Sequence, residues 1–221
     1  MHREGPSNVL AQGPCFAAAT SLRGRAVAPD ARAPERSLAV VETGAPQRDR
    51  IEACIADVYR SRYGARISHW APTLVGLVGD ERILAAAGYR DATDPLFLER
   101  YLAAPIEEVI TARTGARVTR REIVEVGHFA AAHAGEGKRL LPMLARHLSQ
   151  RGYRWVVSTA TRELRVLLAH LGMRPLALAR ANPRQLGADA ADWGCYYEHE
   201  PIIVAGDLLR SLPVIERGRR P

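Results

Sequence analysis

Apolar and polar positions along the chain follow two periods, one typical of strands and one typical of amphipathic helices. Short apolar runs that predict strands occupy residues 37–43, 121–131, 153–160 and 175–179. Residues 73–90 predict two strands in a hairpin that turns at Gly79 and Asp80. Residues 51–59 repeat apolar side chains at helical spacing, and Gly64 follows where a helix would stop.

Further helices are predicted at residues 94–102, 105–115, 137–151 and 161–172. Thr161 is suited to cap the last of these helices, and Gly172 lies at its end. Gly127, inside the strand at 121–131, indicates a bulge or a close backbone approach. Helices and strands alternate in the second half and a hairpin lies in the first, so the pattern predicts a mixed α/β sheet with helices on both faces.

The two ends of the chain differ from the middle. Residues 1–36 mix Gly, Pro, Ser, Ala and Arg without a period, which predicts a disordered tail. Residues 37–212 form the predicted folded domain, and residues 213–221 are expected to be a flexible C-terminal tail. The segment 187–201 is polar and aromatic without a clear period.

Composition narrows the class of protein. A hydrophobic fraction of 47% supports a buried core, and no run approaches the roughly 20 apolar residues that cross a bilayer. The start lacks a continuous apolar signal region, so we expect a cytoplasmic protein. The net charge is +7, but the basic residues are scattered along the chain rather than clustered, so we expect no nucleic-acid partner. The three cysteines lie far apart and show no metal-site spacing.

The stretch "AAHAGEGKRLL" at 131–141 holds two glycines and two cations between a predicted strand and a predicted helix. Glycines permit close approach of a ligand to the backbone, and a helix N-terminus favours phosphate. Lys138 and Arg139 would add charge-assisted contacts. The same pattern also occurs at ordinary helix starts, and both interpretations remain open on spacing alone.

Longer stretches add a resemblance to known families. "IVEVGHFAA", "AGEGKR", "YRWVVST", "ATRELRVLLAH" and "LGM" follow the order of the acyl-CoA-binding half of the GNAT acyltransferase superfamily. "HWAPTLVGL", "PLFLERYLAAPIEEVI" and "GADAADWGCYYEHEP" resemble the thermostable hemolysin family, over about residues 38 to 210. The resemblance implies a GNAT-like fold with a mixed, mostly antiparallel central sheet and helices on both faces.

The same resemblance implies an acyltransferase. An acyl group would pass from acyl-CoA or an acyl carrier protein to a small amine acceptor, without a metal. The implied donor-binding residues are Phe129, Ala130, Gly135, Gly137, Lys138, Arg139 and Thr159. Two positions depart from the GNAT pattern: Ala132 replaces the usual Arg or Gln of the loop, and Leu168 replaces the Tyr that protonates the leaving thiolate. The acid would then be Tyr196, Tyr197 or solvent.

Acyl transfer to an amine needs a group that accepts the amine proton and donors that hold the oxyanion. Glu125 is a candidate base, with a salt-bridged carboxylate as the alternative, and His128 is a second candidate, with a packed histidine as the alternative. Amides of residues 128–130 are candidate oxyanion donors if a bulge frees them. Candidate substrate-binding residues are His69, Trp70, Asp192, Trp193 and Tyr197, and candidates for an acyl pocket are Trp70, Leu98 and Tyr101.

Two other functions fit the chain. One is a membrane-active protein, as the family name suggests, although no strongly amphipathic cationic helix is evident and membrane association is not expected. The other is a module that binds acyl-CoA without catalysis, which would explain why Leu168 occupies the place of the tyrosine.

Overall fold

A computed structural model of the chain describes residues 36–217. Its strands are β1 (Ser37–Glu42), β2 (Thr73–Gly79), β3 (Arg82–Asp91), β4 (Ile123–Ala131), β5 (Trp155–Ala160), β6 (Leu176–Arg180) and β7 (Ile202–Asp207). Its α-helices are α1 (Arg48–Tyr63), α2 (Ile106–Thr114), α3 (Glu136–Gln150), α4 (Arg162–His170) and α5 (Leu208–Arg217). Short 3₁₀ helices span Phe97–Tyr101, Arg120–Glu122, Pro183–Trp193 and Tyr196–His199.

The seven strands form one sheet in the order β1-β2-β3-β4-β5-β7-β6. Every neighbouring pair is antiparallel except β4 and β5, which run parallel. The parallel pair lies in the middle of the sheet, and α3 connects its two strands because parallel neighbours need a crossover. The predicted mixed, mostly antiparallel sheet is confirmed.

Alternating side chains of the central strands pack against helices on opposite faces. Val75 and Leu77 of β2 share a buried cluster with Leu140 of α3. Leu74, which directly precedes Val75 in the sequence, belongs to the cluster that contains Ile51 of α1. Successive residues of a strand point to opposite faces, so α1 and α3 cover the two sides of the sheet. The predicted helices on both faces are therefore present.

Local signals place the helix ends where the sequence predicts them. Gly64 ends α1 and Gly115 ends α2, both in the left-handed conformation that glycine adopts without a steric penalty. The Thr161 side chain caps α4 by accepting a hydrogen bond from the Leu164 amide. The hairpin turns at Asp80 and Glu81, which both have positive φ.

The C-terminal boundary differs from the prediction. Residues 213–217 were expected in a flexible tail, but α5 continues through Arg217. The reason is burial, because Ile215 packs with Leu208 in the cluster beneath α3. The predicted tail over residues 1–36 lies outside the described residues except for Arg36, and it stays a prediction.

Candidate active site

The parallel strands β4 and β5 separate part-way along their length. They pair only from Ile123–Trp155 to Glu125–Val157. Beyond that point β4 continues to Ala131 beside β3, while β5 continues beside β7. A gap therefore opens in the middle of the sheet, and the backbone groups that line it have no ladder partner across it.

A bulge in β4 lies next to this gap. Between the pairs Gly127–Gly88 and Ala130–Ala86, β4 has two residues where β3 has one. His128 carries the unusual backbone conformation there, with φ of +54°. The sequence predicted the bulge at Gly127, and the structure places its strained residue one position later. The extra residue breaks the alternation of β4, so residues after it no longer follow the facing expected from a regular strand.

A cleft with a volume of about 220 Å³ opens at the separation of β4 and β5. Its walls come from the end of α1, the bulged part of β4, the end of β5, the start of α4 and the aromatic C-terminal segment. Representative lining residues are Tyr63, Gly127, Phe129, Thr159, Glu163 and Trp193. A side chain at Gly127 would meet no atom within 4 Å, so the floor of the cleft is open at that position.

Glu125 lines the cleft and has both carboxylate oxygens engaged. The oxygens accept the backbone amides of Phe97 at 2.8 Å and Leu98 at 2.9 Å. Burial raises the pKa of Glu125 and outweighs the opposing effect of the two amides. Within residues 36–217 no guanidinium pairs with this carboxylate. Glu125 thus anchors the start of the 3₁₀ helix Phe97–Tyr101 to the floor of the cleft.

His128 lines the cleft, and its ring is partly buried. Its Nε2 lies 3.1 Å from the backbone oxygen of His69, which assigns a proton to Nε2. Its ring lies beside the Trp70 ring with centroids 5.4 Å apart. Its Nδ1 is buried and makes no hydrogen bond within the described chain. Burial lowers the pKa of His128 to about 4, so the ring is neutral near pH 7.

The aromatic C-terminal segment covers one side of the cleft. The Tyr196 hydroxyl donates to the backbone oxygen of Thr159 at 3.1 Å, and burial raises the pKa of Tyr196 well above its ordinary value. Trp193 stands beside Tyr196, with ring centroids 5.2 Å apart, and lines the cleft. The Tyr197 hydroxyl lies 2.6 Å from the Tyr101 hydroxyl.

The remaining candidate substrate residues lie at the edge of the cleft or behind it. His69 lines the cleft, whereas Trp70 does not. Asp192 accepts a hydrogen bond from Arg66 at 2.9 Å, and that arginine lines the cleft. Leu98, expected in an acyl pocket, is fully buried in the core, while Tyr101 reaches the cleft wall.

The glycine-rich stretch forms the turn into α3. Gly135 precedes the helix with φ of +84°, and Lys138 is exposed. Glu136 in the first turn is buried and accepts hydrogen bonds from Arg36 at 2.9 and 3.0 Å and from Arg139 at 3.0 Å. The start of α3 therefore already holds one carboxylate, which the sequence interpretation did not foresee. Residues 136–139, at the start of α3, lie outside the lining of the cleft.

Gly137 is buried, and a Cβ atom there would lie 3.1 Å from Phe129 Cζ. Phe129 and Thr159, two other implied donor residues, line the cleft, whereas Ala130 is fully buried.

A second, smaller cavity of about 90 Å³ lies on the α3 side of the sheet, and its walls are almost entirely apolar. Its walls include Leu144, Leu148, Val156, Leu168 and Met173. Val126, Phe129, Ser158 and Leu164 line both this cavity and the cleft. The two spaces thus adjoin at the separation of β4 and β5.

One polar pair in this region was missed by sequence reasoning. Glu163, in the first turn of α4, lines the cleft, and its Oε1 lies 2.8 Å from His199 Nδ1. The two residues are 36 positions apart. No local pattern in the sequence links Glu163, two residues after the Thr161 cap, to a histidine in an aperiodic segment.

Among residues 36–217, no helix has both the length and the apolar character needed to cross a membrane. The same described residues contain no group of three or more side chains that would suit a metal ion.

Comparisons with solved structures show how widely this architecture is shared. The AHL synthase LasI aligns with a TM-score of 0.58 at 13% identity, over 84% of this chain and 96% of that chain. FeeM, an N-acyl amino acid synthase from uncultured soil microbes, aligns with a TM-score of 0.56 at 15% identity, over 80% and 92%. BjaI, a CoA-dependent acyl-homoserine lactone synthase with SAM and isopentyl-CoA, aligns with a TM-score of 0.54 at 10% identity, over 83% and 89%. At these identities the likeness establishes the fold.

No curated protein sequence matches the chain. The family model described as "Thermostable hemolysin", by contrast, matches residues 41–212, which include every strand except the first four residues of β1. With a GNAT-like fold and a matching family model over most of its length, the chain belongs to the thermostable hemolysin family.

Proposed function

We propose that the protein transfers an acyl group from a thioester, carried by CoA or an acyl carrier protein, to a small amine. The observation that carries this proposal is the separation of β4 from β5 beyond Glu125, with a cleft at the opening. A pantetheine arm is narrow and contains amide groups. It can therefore occupy such a gap and hydrogen-bond to backbone groups that have lost their ladder partner.

The bulge supports the placement of the reacting carbon in this gap. A donor thioester beside His128 would have backbone amides of residues 128–130 near its carbonyl oxygen. Preorganised amides at this point stabilise the oxyanion that forms when the amine attacks. The apolar cavity that adjoins the cleft at Phe129 suits the hydrocarbon chain of the acyl group.

The solved neighbours support the same class of reaction, since LasI, FeeM and BjaI are named as synthases of acylated products. BjaI is named as a CoA-dependent synthase and was solved with the CoA derivative isopentyl-CoA. We propose that this chain likewise uses such a donor and acts in the cytoplasm, where acyl-CoA and acyl carrier protein are available.

Amine-dependent thiol release tests the proposal. The purified full chain is incubated with acyl-CoA donors of graded chain length and a panel of small amines, and the free thiol is followed with a chromogenic disulfide. The same panel is repeated with an acyl carrier protein donor. We expect thiol release that requires both the donor and an amine, together with an N-acyl product in the mass spectrum.

Gly127→Val serves as the blocking variant. The added side chain would enter the open cleft rather than packed protein, so we expect donor binding to fall while the thermal midpoint changes little. Ser37→Val, at an exposed position of the edge strand β1, is the matched control and should behave as wild type.

Three results separate the alternatives. Donor binding without amine-dependent thiol release would indicate a module that binds acyl-CoA only. Dye leakage from phospholipid vesicles, without donor binding, would indicate a membrane-active protein. Thiol release that Gly127→Val leaves unchanged would place the reaction elsewhere on the chain.

A further inference from the structure

The cleft contains several groups able to exchange a proton, and most of them are already engaged. Both oxygens of Glu125 hold backbone amides. His128 donates from Nε2 to the His69 carbonyl, and its buried Nδ1 faces the strand β3, where a Cβ atom built on Gly88 would lie 3.0 Å from it. The Tyr196 hydroxyl donates to the Thr159 carbonyl. A group that takes a proton from an acceptor amine needs an accessible lone pair, and a carboxylate oxygen without a protein hydrogen bond offers a more basic one than an oxygen that already accepts an amide.

Glu163 has such an atom. Its Oε1 accepts a hydrogen bond from His199 Nδ1 at 2.8 Å, while its Oε2 is buried and makes no hydrogen bond with residues 36–217. A buried carboxylate oxygen without a partner is costly unless a ligand or water satisfies it. The residue lines the cleft and its side chain is 40% exposed, so we expect a small rotation of the side chain to bring this oxygen to an amine bound there.

The position of Glu163 relative to the proposed donor is also suitable. It lies in the first turn of α4, directly after β5, and β5 forms one wall of the gap. The start of a helix stabilises a negative side chain, so the carboxylate is held as an anion between turnovers. Resting on the proposed acyl transfer, we propose that Glu163 is the catalytic residue that takes the proton of the acceptor amine and returns it to the leaving thiolate.

The proton balance closes within one turnover. The amine nitrogen attacks the thioester carbon, a C–N bond forms, and the nitrogen proton moves to Glu163 Oε2. The tetrahedral adduct then collapses, the C–S bond breaks, and the proton on Glu163 passes to the thiolate sulfur. The products are an amide and a free thiol, and Glu163 is again a carboxylate. This route supplies the acid that Leu168, in place of a tyrosine, cannot provide.

His199 acts as a positioning residue in this scheme. Its Nδ1 donates to Oε1, so Oε2 is the carboxylate oxygen left for the substrate. Its ring is held edge-on by Tyr63, with centroids 5.0 Å apart. Burial raises the pKa of Glu163, but interactions with His199, with its own backbone amide and with the Thr161 side chain act in the opposite direction, and the pKa is lowered overall. Arg162, the other charged neighbour, pairs with Glu200 at 2.8 Å.

The test compares Glu163→Gln with Glu198→Gln, a matched change at an exposed glutamate in the 3₁₀ helix that also holds His199. Turnover is measured with the primary amine that wild type uses fastest and with hydroxylamine, a much weaker base whose adduct can lose its proton to water. We expect Glu163→Gln to lower turnover with the alkylamine by about 100-fold at unchanged donor affinity, and by clearly less with hydroxylamine. Glu198→Gln should match wild type with both.

His199 provides the second arm. His199→Ala should lower turnover and move the acidic limb of the pH–rate profile to higher pH, because the hydrogen bond that lowers the pKa of Glu163 is lost. His199→Asn, whose side-chain amide can donate to Oε1, should restore part of both effects. A purely structural histidine would change stability without moving the pH profile.

The outcomes distinguish this inference from the function on which it rests. If wild type releases no thiol with any amine, the proposed acyl transfer fails and the inference fails with it. If wild type is active and Glu163→Gln retains its turnover with the alkylamine, the acyl transfer stands and the assignment of Glu163 is overturned.

Discussion

Gly194 is the position at which we expect a single added methyl group to lower the stability of the fold most. It joins Trp193 to the segment that carries Tyr196, and its backbone has φ of +51° and ψ of −128°. A Cβ atom built on Gly194 would lie 2.0 Å from the backbone oxygen of Tyr63. That oxygen also accepts the Cys195 amide at 2.9 Å, so the methyl group would occupy the contact that fastens this segment to the end of α1.

Gly187 allows the cost of this contact to be isolated. Its backbone has nearly the same conformation, with φ of +60° and ψ of −128°, but a Cβ atom there would meet nothing within 4 Å. Gly187→Ala should therefore cost only the backbone strain, about 1–3 kcal/mol. Gly194→Ala carries the same strain and must also break or stretch the Cys195 hydrogen bond, which adds about 1–3 kcal/mol.

Urea and thermal unfolding of the two variants measure the difference. A difference of that size corresponds to at least about 2 °C in the thermal midpoint of a domain of this length. We expect Gly194→Ala also to weaken donor binding, because Trp193 and Tyr196 line the cleft, while Gly187→Ala should leave binding unchanged. Equal midpoints for the two variants would refute the proposed packing of this segment on α1.

Two further predictions concern His128 and the start of α3. Burial lowers the pKa of His128 from 6.5 to about 4. Between these two pH values the unfolded chain binds a proton at His128 and the folded chain does not. The free energy of unfolding should therefore fall by up to about 3 kcal/mol as the pH is lowered from about 6.5 to 4. Urea unfolding across this window checks it, and His128→Asn, which tolerates positive φ, should flatten the dependence. Gly137→Val should crowd Phe129, cost about 1–3 kcal/mol and weaken CoA binding in calorimetric titration more than Lys138→Ala does. If both of these variants bind CoA as wild type does, the glycine-rich stretch is only a helix start.

The sequence by itself determined the elements and their order, because their signals are local. Apolar spacing, Gly64 and Gly115 predicted helix faces and ends that the structure confirms. Thr161 was predicted to cap α4, and its side chain accepts a backbone hydrogen bond there. Gly127 indicated a bulge within one residue of the position where it occurs. The mixed sheet followed from the order of elements, and the family followed from motifs spread along the chain.

Only the tertiary structure decided how the cleft is built, because its contacts join residues that are distant in sequence. The separation of β4 from β5 depends on which strands each one pairs with beyond Glu125, and no local pattern records that choice. The sequence placed Glu125 on a strand, but its partners, the amides of Phe97 and Leu98, lie 28 and 27 residues away. Glu163 and His199 meet only because α4 and the aromatic segment pack at the same end of β5. Side-chain periodicity fixes which face of an element is buried, whereas the partner that each polar atom finds there is set by packing in three dimensions.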